Sequence, residues 1–179
     1  RWRNWIGSSH LRRRRRDIVI LDRILEHKKA EIRHKNSRGY LADLKTRIRD
    51  AGPTLGFAVN LDARRTRTRP ALIAEVKKAS PSLGLLRPEF EQRFEPVAIA
   101  EAYREHGAAA VSVLTDKEFF QGSLEYLSDV KRKVGLPALN KEFMVADIQF
   151  YEARAYGADA VLLIVAGLEK RQLIDFSAL

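Results

Sequence analysis

The chain has 179 residues, of which 45% are hydrophobic, and a formal net charge of +10. This size and composition fit one globular domain with its own core and exclude a disordered chain. The absence of cysteine excludes a disulfide framework, a thiol nucleophile and a zinc site with sulfur ligands. The longest apolar run, residues 158–168, is about half of the roughly 20 residues that a membrane span needs. We therefore expect a cytoplasmic protein without a membrane partner.

Residues 1–16 form an arginine-rich head with seven arginines and no acidic residue. Without these arginines the net charge is +3, so the basic character belongs to the head and not to the domain that follows. The abrupt change of composition at Asp17 favours a disordered extension. Two alternatives stay open, an RNA-binding arm and a transit peptide. We do not expect nucleic acid as the main partner.

Residues 17–69 are predicted to form an N-terminal helical extension and a linker. In "DIVILDRILEHKKAEI", apolar residues recur at i, i+4 spacing, as Ile20 and Ile24 do, and Lys28 and Lys29 lie toward the end. A second helical stretch, "YLADLKTRIRDAG", stops at a Gly-Pro pair. The basic linker "DARRTRTRP" then leads into the first strand.

Residues 70–179 alternate between apolar strands and amphipathic helices. The strands are "ALIAEVK", "AAVSVLTD", "LPALNKEF" and "ADAVLLIVA", and the helices that follow them are "PVAIAEAYREHG", "SLEYLSDVKRKVG", "DIQFYEARAYG" and "LEKRQLIDFSAL". This alternation predicts an α/β fold with a parallel sheet and right-handed crossovers. The first strand runs into "KKASPSLG" and not into the G-x-G-x-x-G of a Rossmann fold. We therefore predict a (β/α)8 TIM-barrel type, of which only the first four units are present, a half-barrel.

Charged residues close the first and third predicted strands. Side chains alternate along a strand, so Glu75 and Lys77 share a face, which we predict to line the barrel interior at its catalytic mouth. If Leu139 faces inward, Lys141 turns to the same mouth, and two ammonium groups there attract an anion. The alternative is a structural Glu-Lys pair that only closes the strand end. Lys78 is expected to point away into solvent.

Two loops after the strands have binding chemistry. The loop "SPSLG" offers two hydroxyl groups and a flexible glycine to a carboxylate or phosphate, although such turns are common. In "TDKEFFQGSLEYL", the adjacent Phe119 and Phe120 precede Gly122 and Ser123, an N-cap residue. This aromatic pair is predicted either to stack on a planar substrate or to pack under the loop.

The segments "LIAEVKKASPS", "AAVSVLTDKEFFQGSLEYL", "LPALNKEF" and "YEARAYGADAVLLIVA" resemble the first four strand-helix units of the indole-3-glycerol-phosphate synthase family. The segment "ILDRILEHKKAEI" resembles that family's N-terminal helical extension, so the resemblance covers residues 17–179. It implies a (β/α)8-barrel lyase of tryptophan biosynthesis. The expected reaction converts 1-(2-carboxyphenylamino)-1-deoxyribulose 5-phosphate into indole-3-glycerol phosphate with release of CO2 and water, without a metal or organic cofactor.

The resemblance also implies roles for individual residues. Lys141 matches the family's general acid, Lys77 the lysine that binds and neutralises the substrate, and Glu75 the carboxylate beside it. The residues expected to bind substrate are Ser80, Ser82, Ser112, Phe120 and Phe143. Three residues beside these positions depart from the family's usual Lys, Arg and Asp, namely Leu83, Asn140 and Glu142.

The resemblance places the family's general base and its phosphate-binding loops after the fourth unit. We therefore expect this chain to be a fragment, inactive alone, that corresponds to the N-terminal half of the enzyme. The alternative is a non-catalytic half-barrel that associates with itself or complements another chain through its open edges.

Overall fold

A computed structural model describes residues 9–35 and 37–179 of the chain. The helices are α1 (Ser9–Arg33), α2 (Arg38–Asp50), α3 (Phe57–Arg64), α4 (Pro96–Glu105), α5 (Lys117–Phe120), α6 (Leu124–Val134), α7 (Ile148–Ala155) and α8 (Lys170–Ser177). The strands are β1 (Ile73–Val76), β2 (Ala79–Ser80), β3 (Gly84–Leu85), β4 (Ala110–Leu114), β5 (Ala138–Lys141) and β6 (Ala160–Val161). Short 3-10 turns cover Pro88–Glu91 and Val165–Gly167.

The central sheet has four parallel strands in the order β1-β4-β5-β6. Each strand of this sheet pairs with the strand of the same sheet that comes next along the chain. Helices α4, α6 and α7 connect successive strands, as parallel pairing requires. Strands β2 and β3 form a small antiparallel hairpin in the loop after β1. The predicted α/β fold with a parallel sheet is confirmed.

Three elements differ from the sequence prediction. Helix α1 begins at Ser9 and so includes residues 9–16 of the head that was predicted to be disordered. The RNA-binding arm and the transit peptide considered for residues 1–16 stay untested, and residues 1–8 lie outside the described residues. Helix α3 extends into the start of the predicted linker, where no helix was predicted, and none of its residues is buried. Strand β6 covers two residues instead of the nine predicted, because only two residue pairs join it to β5.

The main core lies between one face of the sheet and helices α4 and α6. Ala74 and Val76 of β1 are buried in it, together with Val111 and Val113 of β4. Along β1 the alternate residue Ile73 is 42% exposed, so the two faces of this strand differ. The face opposite the helices is the one that carries the candidate site.

A second core fastens the N-terminal extension to the sheet domain. Leu25 and Ile32 of α1 and Leu44 of α2 pack against Val145 and Ile148, at the start of α7. The extension therefore lies across the loops that follow β4 and β5, beside the candidate site.

Among the described residues, none of the helices combines the length and the apolar character that crossing a bilayer requires.

Candidate active site

Three charged side chains meet on one face of the sheet, at the carboxyl ends of β1 and β5. The register aligns Glu75 with Ser112 and Ser112 with Leu139, and Lys77 and Lys141 each stand two residues further along their own segments. The period of two therefore turns all of them to the same face. Nζ of Lys77 lies 2.5 Å from Oε1 of Glu75, and Nζ of Lys141 lies 3.8 Å from its Oε2. One carboxylate thus bridges two ammonium groups.

The charge of this group favours an anionic ligand. Two ammonium groups and one carboxylate leave a net positive charge. The side chains of Lys77, Lys141 and Glu75 are 28%, 32% and 34% exposed, so a ligand can reach them without local unfolding. Lys77 and Glu75 also line a cavity of about 850 Å³ along β1, between the 3-10 turn Pro88–Glu91 and α4. Lys141 lies outside that cavity, so the cavity and the two-lysine group overlap only at β1.

The hairpin after β1 presents two serines in different ways. Oγ of Ser80 is buried and has no hydrogen-bond partner within the part of the chain that the structure describes. Ser82 and the neighbouring Leu83 are exposed at the turn of the hairpin. Ser82 is therefore open to a ligand, whereas Oγ of Ser80 contacts one only if the hairpin moves.

The aromatic pair divides between two environments. The ring of Phe119 makes an edge contact with His27 of α1, at 5.5 Å between centroids. Phe120 is half-buried beside Phe143, at 5.9 Å and an interplanar angle of 40°. Phe119 therefore packs against the N-terminal extension, and Phe120 and Phe143 form the aromatic pair next to the strand ends.

Glycine is required where the loop with these aromatics passes the end of β4. A Cβ atom on Gly122 would lie 2.3 Å from the carbonyl oxygen of Leu114. The N–H of Gly122 donates to the carbonyl of Asp116 at 2.7 Å, and a carboxylate oxygen of Asp116 accepts the N–H of Phe119 at 2.7 Å. These contacts fix the loop close to the sheet.

A second charged group lies behind the strand ends and was not predicted from the sequence. It consists of Lys28, Glu31, Asp116 and Glu142, and we call it the Lys28 cluster. Lys28 of α1 is 2% exposed. Its Nζ lies 2.8 Å from Oε2 of Glu31, 2.8 Å from Oδ2 of Asp116 and 3.3 Å from both carboxylate oxygens of Glu142. The spacing Ile24, Lys28, Ile32 places the lysine within the apolar stripe of α1, and this was the available signal.

Burial and charge shift the pKa values in the Lys28 cluster. Burial acts to lower the pKa of Lys28, but the charge of Glu142 and hydrogen bonds to Asp116 and Glu31 outweigh it and hold that pKa above its ordinary value. Burial raises the pKa of Glu142 to about 7, although the charge of Lys28 opposes the rise. Burial would raise the pKa of Glu31, but Lys28 and then Lys35 lower it. Three carboxylates around one ammonium therefore favour one protonated carboxyl, at Glu142.

The fold and the site define an α/β protein with a parallel sheet and a positively charged site at the carboxyl edge of that sheet. A family model described as indole-3-glycerol phosphate synthase matches residues 21–178. The chain belongs to the indole-3-glycerol phosphate synthase family.

Curated relatives with that name cover most of this chain. The protein from Neisseria meningitidis serogroup B is 45% identical over 159 residues, which are 89% of this chain and 60% of the relative. The protein from Acaryochloris marina is 49% identical over 158 residues, 88% of this chain and 50% of the relative. The protein from a Polaromonas species is 47% identical over 160 residues, 89% and 59% respectively. The chain thus spans 50–60% of the length of these relatives.

Proposed function

We propose that this chain supplies the lysine side of the active site of an indole-3-glycerol-phosphate synthase, on the first four units of a (β/α)8 barrel. The observation that carries the proposal is the convergence of Lys77 and Lys141 on Glu75 from two strands. The strand order β1-β4-β5-β6 supports the barrel, because a doubly wound sheet would reverse direction at a switch point and this sheet does not.

The two lysines suit a substrate that carries both a carboxylate and a phosphate. In the proposed reaction Lys77 neutralises the substrate. Lys141 gives a proton to the carbonyl oxygen as the anthranilate ring carbon forms its bond to the carbonyl carbon. Loss of CO2 then restores the aromatic ring, and the hydroxyl formed from the carbonyl leaves as water with a hydrogen of the neighbouring CH2 carbon. Glu75 holds the two ammonium groups in one place, where like charges alone would separate them.

The neighbouring residues are proposed to bind the rest of the substrate. Ser80 and Ser82 of the hairpin are proposed to donate hydrogen bonds to its anionic groups. Ser112 lies in the same row of the sheet as Glu75 and is proposed to contact the substrate from below. Phe120 and Phe143 are proposed to contact its aromatic ring, because their rings lie together beside the strand ends.

The test joins the 179-residue chain to the segment of the Neisseria meningitidis relative that follows the matched part. Indole-3-glycerol phosphate formation is measured for the fusion and for the chain alone. We expect product from the fusion and none from the chain alone, because the relatives are longer than the match. In the fusion, Lys141→Met is expected to lower kcat by about 10²–10⁴-fold, the usual range for a lost general acid.

The matched control is Lys78→Met, the lysine adjacent to Lys77, which makes no ion pair among the described residues. We expect its kcat to stay within about twofold of the unchanged fusion, since a side chain away from the reacting atoms contributes little. A folded fusion that forms no product, or one that keeps full activity with Lys141→Met, would contradict the proposed function.

A non-catalytic module that associates through the sheet edges is the second candidate. Leu72 and Ile73 at the β1 edge are 57% and 42% exposed, and an exposed apolar strand edge favours pairing with another chain. Sedimentation of the 179-residue chain tests this candidate. A dimer that Ile73→Lys converts into a monomer would support it, and a monomer at every concentration would argue against it.

A further inference from the structure

The backbone that carries Lys141 is held from β4. The N–H of Thr115, the residue after β4, donates to the carbonyl oxygen of Lys141 at 3.3 Å. The hydroxyl of Thr115 donates to Oδ1 of Asn140 at 2.7 Å and lies 3.5 Å from Oε2 of Glu142. The residues on both sides of Lys141 therefore turn away from the candidate active site and contact the same threonine.

Lys28 completes this attachment from the N-terminal extension. Its ammonium contacts Glu142, which follows β5, and Asp116, which follows Thr115. The side chains of Lys28 and Asp116 are 3% and 0% exposed, so water and salt screen this contact only weakly. One buried cation thus joins the ends of two strands, 114 residues away from its partner Glu142 in the sequence.

We propose that Lys28 is a positioning residue for Lys141. By binding Asp116 and Glu142 behind the strand ends, it holds the end of β5 in the orientation that directs the side chain of Lys141 toward Glu75. The part that concerns catalysis depends on the proposed function, whereas the geometric part does not. Without Lys28, Asp116 and Glu142 lose the ammonium that both contact, so the end of β5 is free to move relative to the end of β4 and to α1, whether Glu142 is ionised or protonated. Because Glu142 is bonded directly to Lys141, that movement changes the orientation of the lysine.

The first experiment measures the acetylation rate of Lys141 in the 179-residue chain, by competitive labelling with acetic anhydride and mass spectrometry. This rate reports a change in the surroundings of the Lys141 amine. Lys28→Met keeps the length of the side chain and removes its charge. We expect the acetylation rate of Lys141 to change by about threefold or more relative to Lys133, an exposed lysine of α6, because reactivity follows the surroundings of the amine. The matched control is Lys29→Met, an exposed lysine on the same turn of α1, which we expect to leave the rate unchanged.

The second experiment uses the fusion. Lys28→Met is expected to lower kcat about tenfold with KM within about twofold, because a misplaced acid affects the reaction more than substrate binding. Lys28→Arg is expected to restore part of kcat, since a cavity of about 190 Å³ lined by Lys28, Glu31 and Glu142 has room for a guanidinium group. An inactive fusion would overturn the proposed function, while the acetylation rates would still decide on the positioning role.

If Lys28→Met does not fold, as judged by circular dichroism, the same measurements are made on Glu142→Gln. That variant leaves Lys28 paired with Glu31 and Asp116 and weakens only its contact with the end of β5. An unchanged acetylation rate of Lys141 in the folded variants, or an equal change in Lys29→Met, would overturn the inference.

Discussion

Replacing Asp159 by asparagine is expected to destabilise the chain by about 2–3 kcal/mol, although this residue lies at the end of the sheet opposite the candidate site. The carboxylate of Asp159 is fully buried. It accepts the N–H of Leu55 at 2.7 Å, the N–H of Ala138 at 2.8 Å and a hydrogen bond from the ammonium of Lys131. It therefore joins the start of β5, helix α6 and the segment between α2 and α3.

The magnitude follows from the three donors. Asparagine keeps one acceptor oxygen, which can still accept the hydrogen bonds from Ala138 and Lys131. Its amide NH2 group then faces the N–H of Leu55, so two donors meet. One hydrogen bond is lost, worth about 1 kcal/mol, and the bond from Lys131 loses its ionised acceptor, worth about 1–2 kcal/mol more. For a chain of this size, the total corresponds to a fall in Tm of about 4–12 °C.

The assay is urea unfolding followed by circular dichroism at pH 7, with the m value as a check that both variants unfold in the same way. The matched control is Asp129→Asn, whose exposed ion pair with Arg132 on α6 should contribute less than about 0.5 kcal/mol. If Asp159→Asn and Asp129→Asn lower the free energy of unfolding equally, the three contacts do not stabilise the fold as argued.

Two further predictions concern backbone space and pH. Gly122→Ala is expected to lower the free energy of unfolding by about 1–3 kcal/mol because the new Cβ clashes with the carbonyl group of Leu114. Gly39→Ala, with open space around it, should raise the free energy of unfolding slightly. Thermal unfolding of both variants tests this difference. Because the pKa of Glu142 is about 7 in the folded chain against an ordinary 4.5, the folded state holds this proton more tightly. Its contribution to the free energy of unfolding therefore falls as pH rises from about 4.5 to about 7. Urea unfolding at pH 5 and pH 7.5 should show that fall in the unchanged chain and not in Glu142→Gln; equal pH profiles would show that Glu142 ionises normally.

Local patterns were sufficient for the elements that form the candidate site. The apolar runs mark β1, β4 and β5, and the period of two by itself places Glu75 and Lys77 on one face. The same period placed Lys141 on that face only if Leu139 faced inward, and the register now supplies that condition. The predicted fourth strand is longer than β6 because apolar composition does not show where the pairing with β5 ends.

The Lys28 cluster shows what the sequence did not reveal. Lys28 and Lys29 are adjacent lysines near the end of an amphipathic helix, and the local pattern does not predict that one of them binds distant carboxylates. The structure buries Lys28 and leaves Lys29 exposed. Its partners Asp116 and Glu142 follow different strands, so no local spacing links the three residues.

The strand-helix alternation and the face of β1 that carries the charged residues follow from local sequence patterns, because both depend on backbone geometry repeated over a few neighbouring residues. How the N-terminal extension meets the ends of β4 and β5, and hence which lysine of α1 is buried, follows only from the packing of the whole chain. That choice depends on how α1 packs against segments about 90–115 residues away. Desolvating an ammonium group is unfavourable unless those distant segments bring carboxylates to it.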